Sequence, residues 1–524
     1  MSGAGARQKD LDTFCRHRSF LLDTHTQHTV ECQSEQGYAE EESLERGTFE
    51  ERAEQFEEAI TREDYLSGAG LKDTFEIAPI YERYADLFSD ETVRGLLDQR
   101  QTKEGQYLAS FATFRYLENS VKGLTQEGMN RVMKMTVSWD SQEIPFRSAP
   151  VALANEPDPD RRHELQRRIM DMTAELNPLL SKRQQELGRA MSSLGFTGYV
   201  AMCDQLRDLD LANLTGWMKL LLARTADSYA QRLGYYLRRL GLSPNEAYTG
   251  DLTYLFRAPE YDSLFPKEAL VSTLRKTLIE LGLDLAAQHN LELDIESRPL
   301  KSPRAFCAPI RVPEEVKLVI SPRGGQDDYR AILHESGHAE HAIFTAPDLP
   351  FAFKRLGDNS VTEGYAFLFD NLVQNRRWLS TVLGVSNGEG YVQFALFYKC
   401  YMLRRYATKL LYEQELHAGQ GDMAQRYAAL FEKSLLVRHW PQNYLADVDD
   451  FFYSAQYIRA WIFEVQIRRY LQGKWGDDWF RNPAAGQFLV GLYHRGQKDN
   501  ADELARELGY RGLDPEPLIE ELIG

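Results

Sequence analysis

The stretch AILHESGHAEHAIF, Ala331 to Phe344, places three of the chain's eleven histidines within eight positions. Tyr329, Ile332, Leu333 and Ile343 form an apolar stripe at helical spacing, and Asp327 or Asp328 after Gly325 is a suitable N-cap. On that helix His334 and His338 stand four residues apart and share a face. Two imidazoles so placed reach one ion at about 2.0–2.1 Å. Glu335 is rotated by about 100° from His334. It stands beside such an ion, where a carboxylate can take a proton from bound water. This is the HExxH pattern of two zinc ligands and a general base. Gly337, between the histidines, is small enough to admit a second chain segment.

Working outward, DNSVTEGYAFLFDNL supplies Glu363, 25 positions beyond His338. TAPDLP ends the first helix and a second begins near Ser360, so Glu363 has two readings. It is the fourth residue of a Ser360–Glu363 capping box, or it is the third metal ligand of a catalytic zinc site with an open water position. The histidines upstream favour the ligand. Asp370, two turns further along the same face, either accepts the second ring N–H of a ligand histidine or is a solvated helix-face acid. His341 is second to the site or part of the core, since two histidines and a glutamate already complete it.

APIRVPEEVKLVISPRGG interrupts the helical pattern. Its β-branched residues predict a strand over Val316–Ser321, closed by a turn at Gly324–Gly325. Upstream the pattern is mostly helical. ADLFSDETVRGLLDQR carries an imperfect capping box on Ser89, and the long charged run after Asp158 has stops at Pro178 and Gly195. We read three regions: a polar N-terminal extension over 1–46, a helical half over 47–300 and a catalytic helical half over 301–524.

The whole chain has 524 residues, of which 43% are hydrophobic and 27% charged, a globular composition. Its net charge of −17 argues against nucleic acid or an anionic membrane as partner. No apolar run reaches about 18 residues, so no membrane span is expected. The five cysteines are widely spaced without a CxxC pair, as in a reduced cytoplasmic protein.

HESGHAEH, the 25-residue gap and VTEGYAFLFDNL resemble the thimet oligopeptidase and oligoendopeptidase F family of gluzincin metallopeptidases, and less closely the angiotensin-converting enzyme family. The likeness extends from about Ala305 to Leu471. It implies a mostly α fold, a large helical body divided by a deep substrate channel, with a small edge strand beside the site. It implies one zinc ion per chain on His334, His338 and Glu363, and hydrolysis of short unfolded peptides by metal-activated water with Glu335 as base. The strand at Val316–Ser321 would then hold substrate by strand addition through Val316, Leu318 and Ile320, with Gly324 and Gly325 allowing close approach.

Relatives also place tyrosines over the reacting carbonyl. In DVDDFFYSAQYIRAW these are Tyr453 and Tyr457, four residues apart on one helix face; an aromatic core helix is the alternative reading. The further tyrosine of the family is Ala460 here, and the preceding histidine is replaced by the acidic run Asp447–Asp450. Arg459 is expected to form a salt bridge with one of those aspartates. Two other readings fit the same residues: a zinc-retaining peptide-binding relative with little activity, or a zinc hydrolase of a non-peptide amide.

Overall fold

A computed structural model describes residues 35–419 and 421–523. Residues 1–34 of the N-terminal extension lie outside these, and from Glu35 the chain is already helical, continuing to Gly68 as α1. The architecture is mostly α, with two small sheets.

Local chemistry explains the main helices. Helix α2 (Lys103–Lys134) starts where Thr102 accepts a hydrogen bond from the Gly105 N–H, and α3 (Pro159–Ser193) where Asp158 accepts from Arg161 and Pro159 occupies the first turn. The expected stop at Pro178 does not occur. Leu176, Leu179 and Leu180 are buried on either side of the proline, and their packing outweighs the lost backbone bond. Helix α4 follows at Tyr199–Arg207, and between α2 and α3 lies the hairpin of β1 (Thr136–Trp139) and β2 (Gln142–Pro145).

The second sheet holds β3 (Leu291–Asp294), β4 (Phe306–Arg311) and β5 (Glu315–Val319) in the order β3-β5-β4. The strand read from sequence at Val316–Ser321 is therefore the central one. It pairs parallel to β3 through Leu291↔Val316 and antiparallel to β4 through Cys307↔Leu318. Both of its backbone edges are occupied, so it cannot add a substrate strand; Val316, Leu318 and Ile320 are each fully buried. The edge beside the site belongs to β4. Gly324 and Gly325 adopt φ of 91° and 87°, which favours glycine, and a Cβ at either would meet Lys267 or Asp262.

Helix α5 (Gln326–Phe344) is capped by Gly325, not by an aspartate. Asp328 instead reaches back and accepts hydrogen bonds from the N–H groups of Arg323 and Gly324, closing the turn after β5. Helix α6 (Asn359–Asp370) crosses α5 closely: a Cβ on Gly337 would lie 2.6 Å from the Ala366 Cα. Helices α7 (Glu389–Ala418) and α8 (Tyr453–Trp475) complete the surroundings of this pair. All residues of α6 are buried. One apolar core runs from Phe114 and Leu117 of α2 through Ile332, Phe367 and Leu403 to Leu522.

Candidate metal centre and active site

The two-helix crossing at Gly337 brings together the residues singled out from the sequence. Among the described residues, His334, His338 and Glu363 form the group whose ligand atoms all lie within 4.8 Å of one another. Glu363 Oε2 sits 3.3 Å from His334 Nε2 and 3.5 Å from His338 Nε2. The capping alternative for Glu363 fails, because Asp358 caps α6 by accepting from Ser360 N–H at 2.9 Å. Glu363 is thus released to the interior. Its Oε2 is buried without a hydrogen-bond partner and faces two imidazole nitrogens. An orphaned carboxylate oxygen between two histidines fits a divalent cation, and a carboxylate with two imidazoles is the donor set that suits zinc.

Neighbouring groups hold this triad in place. His338 Nδ1 is hydrogen-bonded to Thr362 Oγ1 at 2.9 Å, which turns Nε2 toward Glu363. His334 Nδ1 faces Asp370 Oδ2 at 3.7 Å, the side on which the sequence placed that acid. The other oxygen of Asp370 lies 3.8 Å from Arg330 Nε. The Tyr453 hydroxyl donates to Glu363 Oε1 at 2.8 Å. Burial opposes charge on His334, but Asp370, Glu363 and Glu335 outweigh it and raise its pKa to about 9. Burial likewise opposes ionisation of Glu363, and the two imidazoles reverse this, holding the carboxyl well below the usual range. Electrostatics of this kind mark a place where positive charge is favoured.

His341 does not join the group. Its Nε2 is 3.1 Å from the Gly496 carbonyl oxygen and its ring packs on Tyr365 and Tyr493. Burial pushes its pKa down to about 4, so it is a neutral core histidine.

Glu335 projects beside the triad. The Cys307 N–H of edge strand β4 donates to its Oε2 at 3.0 Å. Glu335, His334 and Tyr457 line one cavity together with Phe367, Met402, Tyr406 and Trp461. Of the two tyrosines expected over the site, Tyr457 therefore faces the cavity, while Tyr453 is committed to Glu363. Both are placed by a sharp backbone turn. Phe451 and Phe452 each have φ of 56°, in the left-handed region bulky residues avoid, and α8 begins immediately after them. Such strain costs on the order of 1–3 kcal/mol per residue and is held by the surrounding packing.

Ala460 is buried in the core. A tyrosine that sequence reading missed, Tyr406 of α7, lies in the cavity wall with its ring centroid 5.2 Å from that of Tyr457. Nothing local in α7 marks it, since only tertiary packing carries that helix to the site. Thr362 was also missed, although it directly precedes Glu363.

The acidic run before α8 is structural. Asp447 pairs with Arg405, Asp449 with Lys409 and Asp450 with Arg183. Arg459 goes elsewhere, to Asp358 at 3.1 Å and Asp502 at 3.0 Å. It thereby ties α8 to the cap of α6.

No family model matches the chain, and no curated protein matches it by sequence. Solved structures do match in shape. PZ peptidase A with an inhibitor superposes with a TM-score of 0.63 at 14% identity, over 88% of this chain and 85% of that one. A putative oligoendopeptidase F from Bacillus anthracis str. Ames gives 0.58 at 15% identity, over 86% and 82%. Trypanosoma cruzi metallocarboxypeptidase 1 gives 0.53 at 15% identity, over 90% and 96%. Among the described residues no helix is long and apolar enough to cross a membrane. The chain has the largely helical fold of these peptidase structures, and within it a His334–His338–Glu363 group suited to a metal ion.

Proposed function

We propose that the protein is a zinc-dependent metallopeptidase that hydrolyses short unfolded oligopeptides. The observation that carries this reading is the buried, unpartnered Glu363 Oε2 facing His334 and His338, with Glu335 lining the cavity beside them. His334, His338 and Glu363 would hold one zinc ion, which supplies Lewis acidity toward a peptide carbonyl and lowers the pKa of a water molecule.

Glu335 then acts as general base, taking a proton from the attacking water and passing it to the leaving amine. The Cys307 N–H keeps one of its oxygens oriented. Tyr457, on the cavity wall, would donate a hydrogen bond to the developing oxyanion. Tyr453 is a positioning residue acting through Glu363. The fold shared with peptidase structures supports peptides as substrates, and the net charge of −17 speaks against nucleic acid. Cys203, Cys307 and Cys400 are free and buried, which supports a reducing, cytoplasmic setting.

Glu335→Gln tests the assignment. The variant is expected to retain zinc and to lose peptide hydrolysis, since the amide can hydrogen-bond water but cannot take its proton. Undiminished turnover by the zinc-loaded variant removes Glu335 from the mechanism.

A further inference from the structure

A second cavity lies between the first half of the chain and the helices that carry the metal centre. Its wall combines Tyr107 of α2, Arg207 at the end of α4, Asp358 at the cap of α6, and Gln456 of α8. Two of these positions connect it to the site. Glu363 lies five residues beyond Asp358, about 7–8 Å along the helix axis. Gln456 follows Tyr453 by three residues, on the same stripe of α8.

Arg207 is the unusual member. Among the described residues it has no carboxylate within ion-pair distance, whereas the other charges of the cavity are accounted for. Lys103 is paired with Glu503, Asp358 is paired with Arg459, and Asp208 is exposed at the rim. The polar contact of Arg207 is with the neutral Gln456 Oε1. Its guanidinium lies 4.7 Å from the Phe114 ring centroid and 5.8 Å from that of Phe451, and its Nε is shielded from solvent with no acceptor. Burial lowers its pKa from the usual value. The side chain is half-buried, and with Nε unsatisfied and no carboxylate beside it among the described residues its charge is only partly compensated, which an incoming anion would complete. Planar guanidinium groups match carboxylates in particular. The strained Phe451, on which Arg207 stacks, is also the residue that launches the helix of Tyr453 and Tyr457.

We propose that Arg207, supported by Gln456, is a subsite for a carboxylate of the peptide, a few residues from the bond that is cut. This rests on the peptidase reading of the adjoining metal centre. The carboxylate has two possible sources, the free C-terminus or an acidic side chain. In either case the anchor would favour short peptides whose charged end reaches this cavity.

The test uses three short quenched peptides of one sequence: the C-terminal acid, the C-terminal amide, and the amide with Glu as last residue. For the zinc-loaded full chain, KM for the acid or for the Glu peptide should lie below that of the plain amide by about tenfold or more, the size of one charge-assisted hydrogen bond. The acid alone gaining identifies the terminus, and the Glu peptide gaining identifies the side chain. Arg207→Met should abolish the difference between the three peptides without lowering the melting temperature, and Arg207→Lys should restore part of it. Equal KM values for all three peptides, or an equal loss on all three in Arg207→Met, overturn the subsite. Calorimetric binding of the same peptides to the Glu335→Gln chain separates this from the peptidase reading. Carboxylate-dependent binding without turnover in the parent leaves the subsite standing and removes the peptidase, whereas turnover without carboxylate dependence does the reverse.

Discussion

Gly337→Ala is the substitution on which the site geometry bears most directly. The added Cβ would meet Ala366 Cα at 2.6 Å, Tyr365 O at 2.7 Å and Ala366 N at 3.0 Å, where ordinary contact begins at 3.4 Å. All three atoms are helix backbone and cannot rotate away, so α5 and α6 must separate by about 0.8 Å, the gap between 2.6 and 3.4 Å. Two of the three proposed ligands, His334 and His338, sit on one helix and Glu363 on the other. Metal sites tolerate ligand displacements of only about 0.2 Å. Overpacking of this kind typically costs about 1–3 kcal/mol, against a gain of about 1 kcal/mol from replacing glycine within a helix. We expect a net destabilisation of up to about 2 kcal/mol and at least tenfold weaker zinc binding, read by thermal melting and by competition with a chelator. Gly123→Ala is the control. Gly123 lies within α2 with no atom within 4 Å of a built Cβ, so this variant should gain up to about 1 kcal/mol and keep its zinc affinity. If Gly337→Ala melts as high as Gly123→Ala and competes for zinc as well as the parent, the close crossing does not assemble the site and the reasoning fails.

The tyrosines should separate by readout. Tyr453→Phe removes the donor to Glu363 and should weaken zinc binding by about 10–100-fold, the usual size for a group that orients a ligand. Tyr457→Phe should keep zinc and lower turnover by at least about tenfold, and equal zinc loss in both variants would contradict their different placements. A pH effect is expected from Glu340, fully buried with Gln288 Nε2 donating to it at 2.8 Å. Burial raises its pKa from about 4.5 to about 8, so the folded chain holds a proton that the unfolded chain releases. Its contribution is fully present below pH 4.5 and is lost as pH rises toward 8, at about 1.4 kcal/mol per unit. Glu340→Gln should flatten that part of the stability–pH curve, and a profile identical to the parent's would show that Glu340 does not titrate in this window.

What the sequence determined by itself was whatever depends on a local period. The helix at Ala331–Phe344, the shared face of His334 and His338, and the offset of Glu335 follow from 3.6 residues per turn. Glu363 was legible as a candidate, but choosing between cap and ligand required knowing that Asp358 takes the capping role. Tertiary structure alone decided the remainder. The Val316–Ser321 segment reads as a strand by composition, yet its central position depends on β3 and β4, whose pairing no local pattern encodes. Arg459 is attached to Asp358 and Asp502 and not to the nearer acids of its own sequence, because helix α8 turns it toward α6. Tyr406 enters the cavity, and Arg207 has no acid beside it among the described residues, through the packing of helices far apart in the chain. Hydrophobic periodicity specifies which face of a helix is buried, whereas the partner of that face is selected by shape and charge across the whole core.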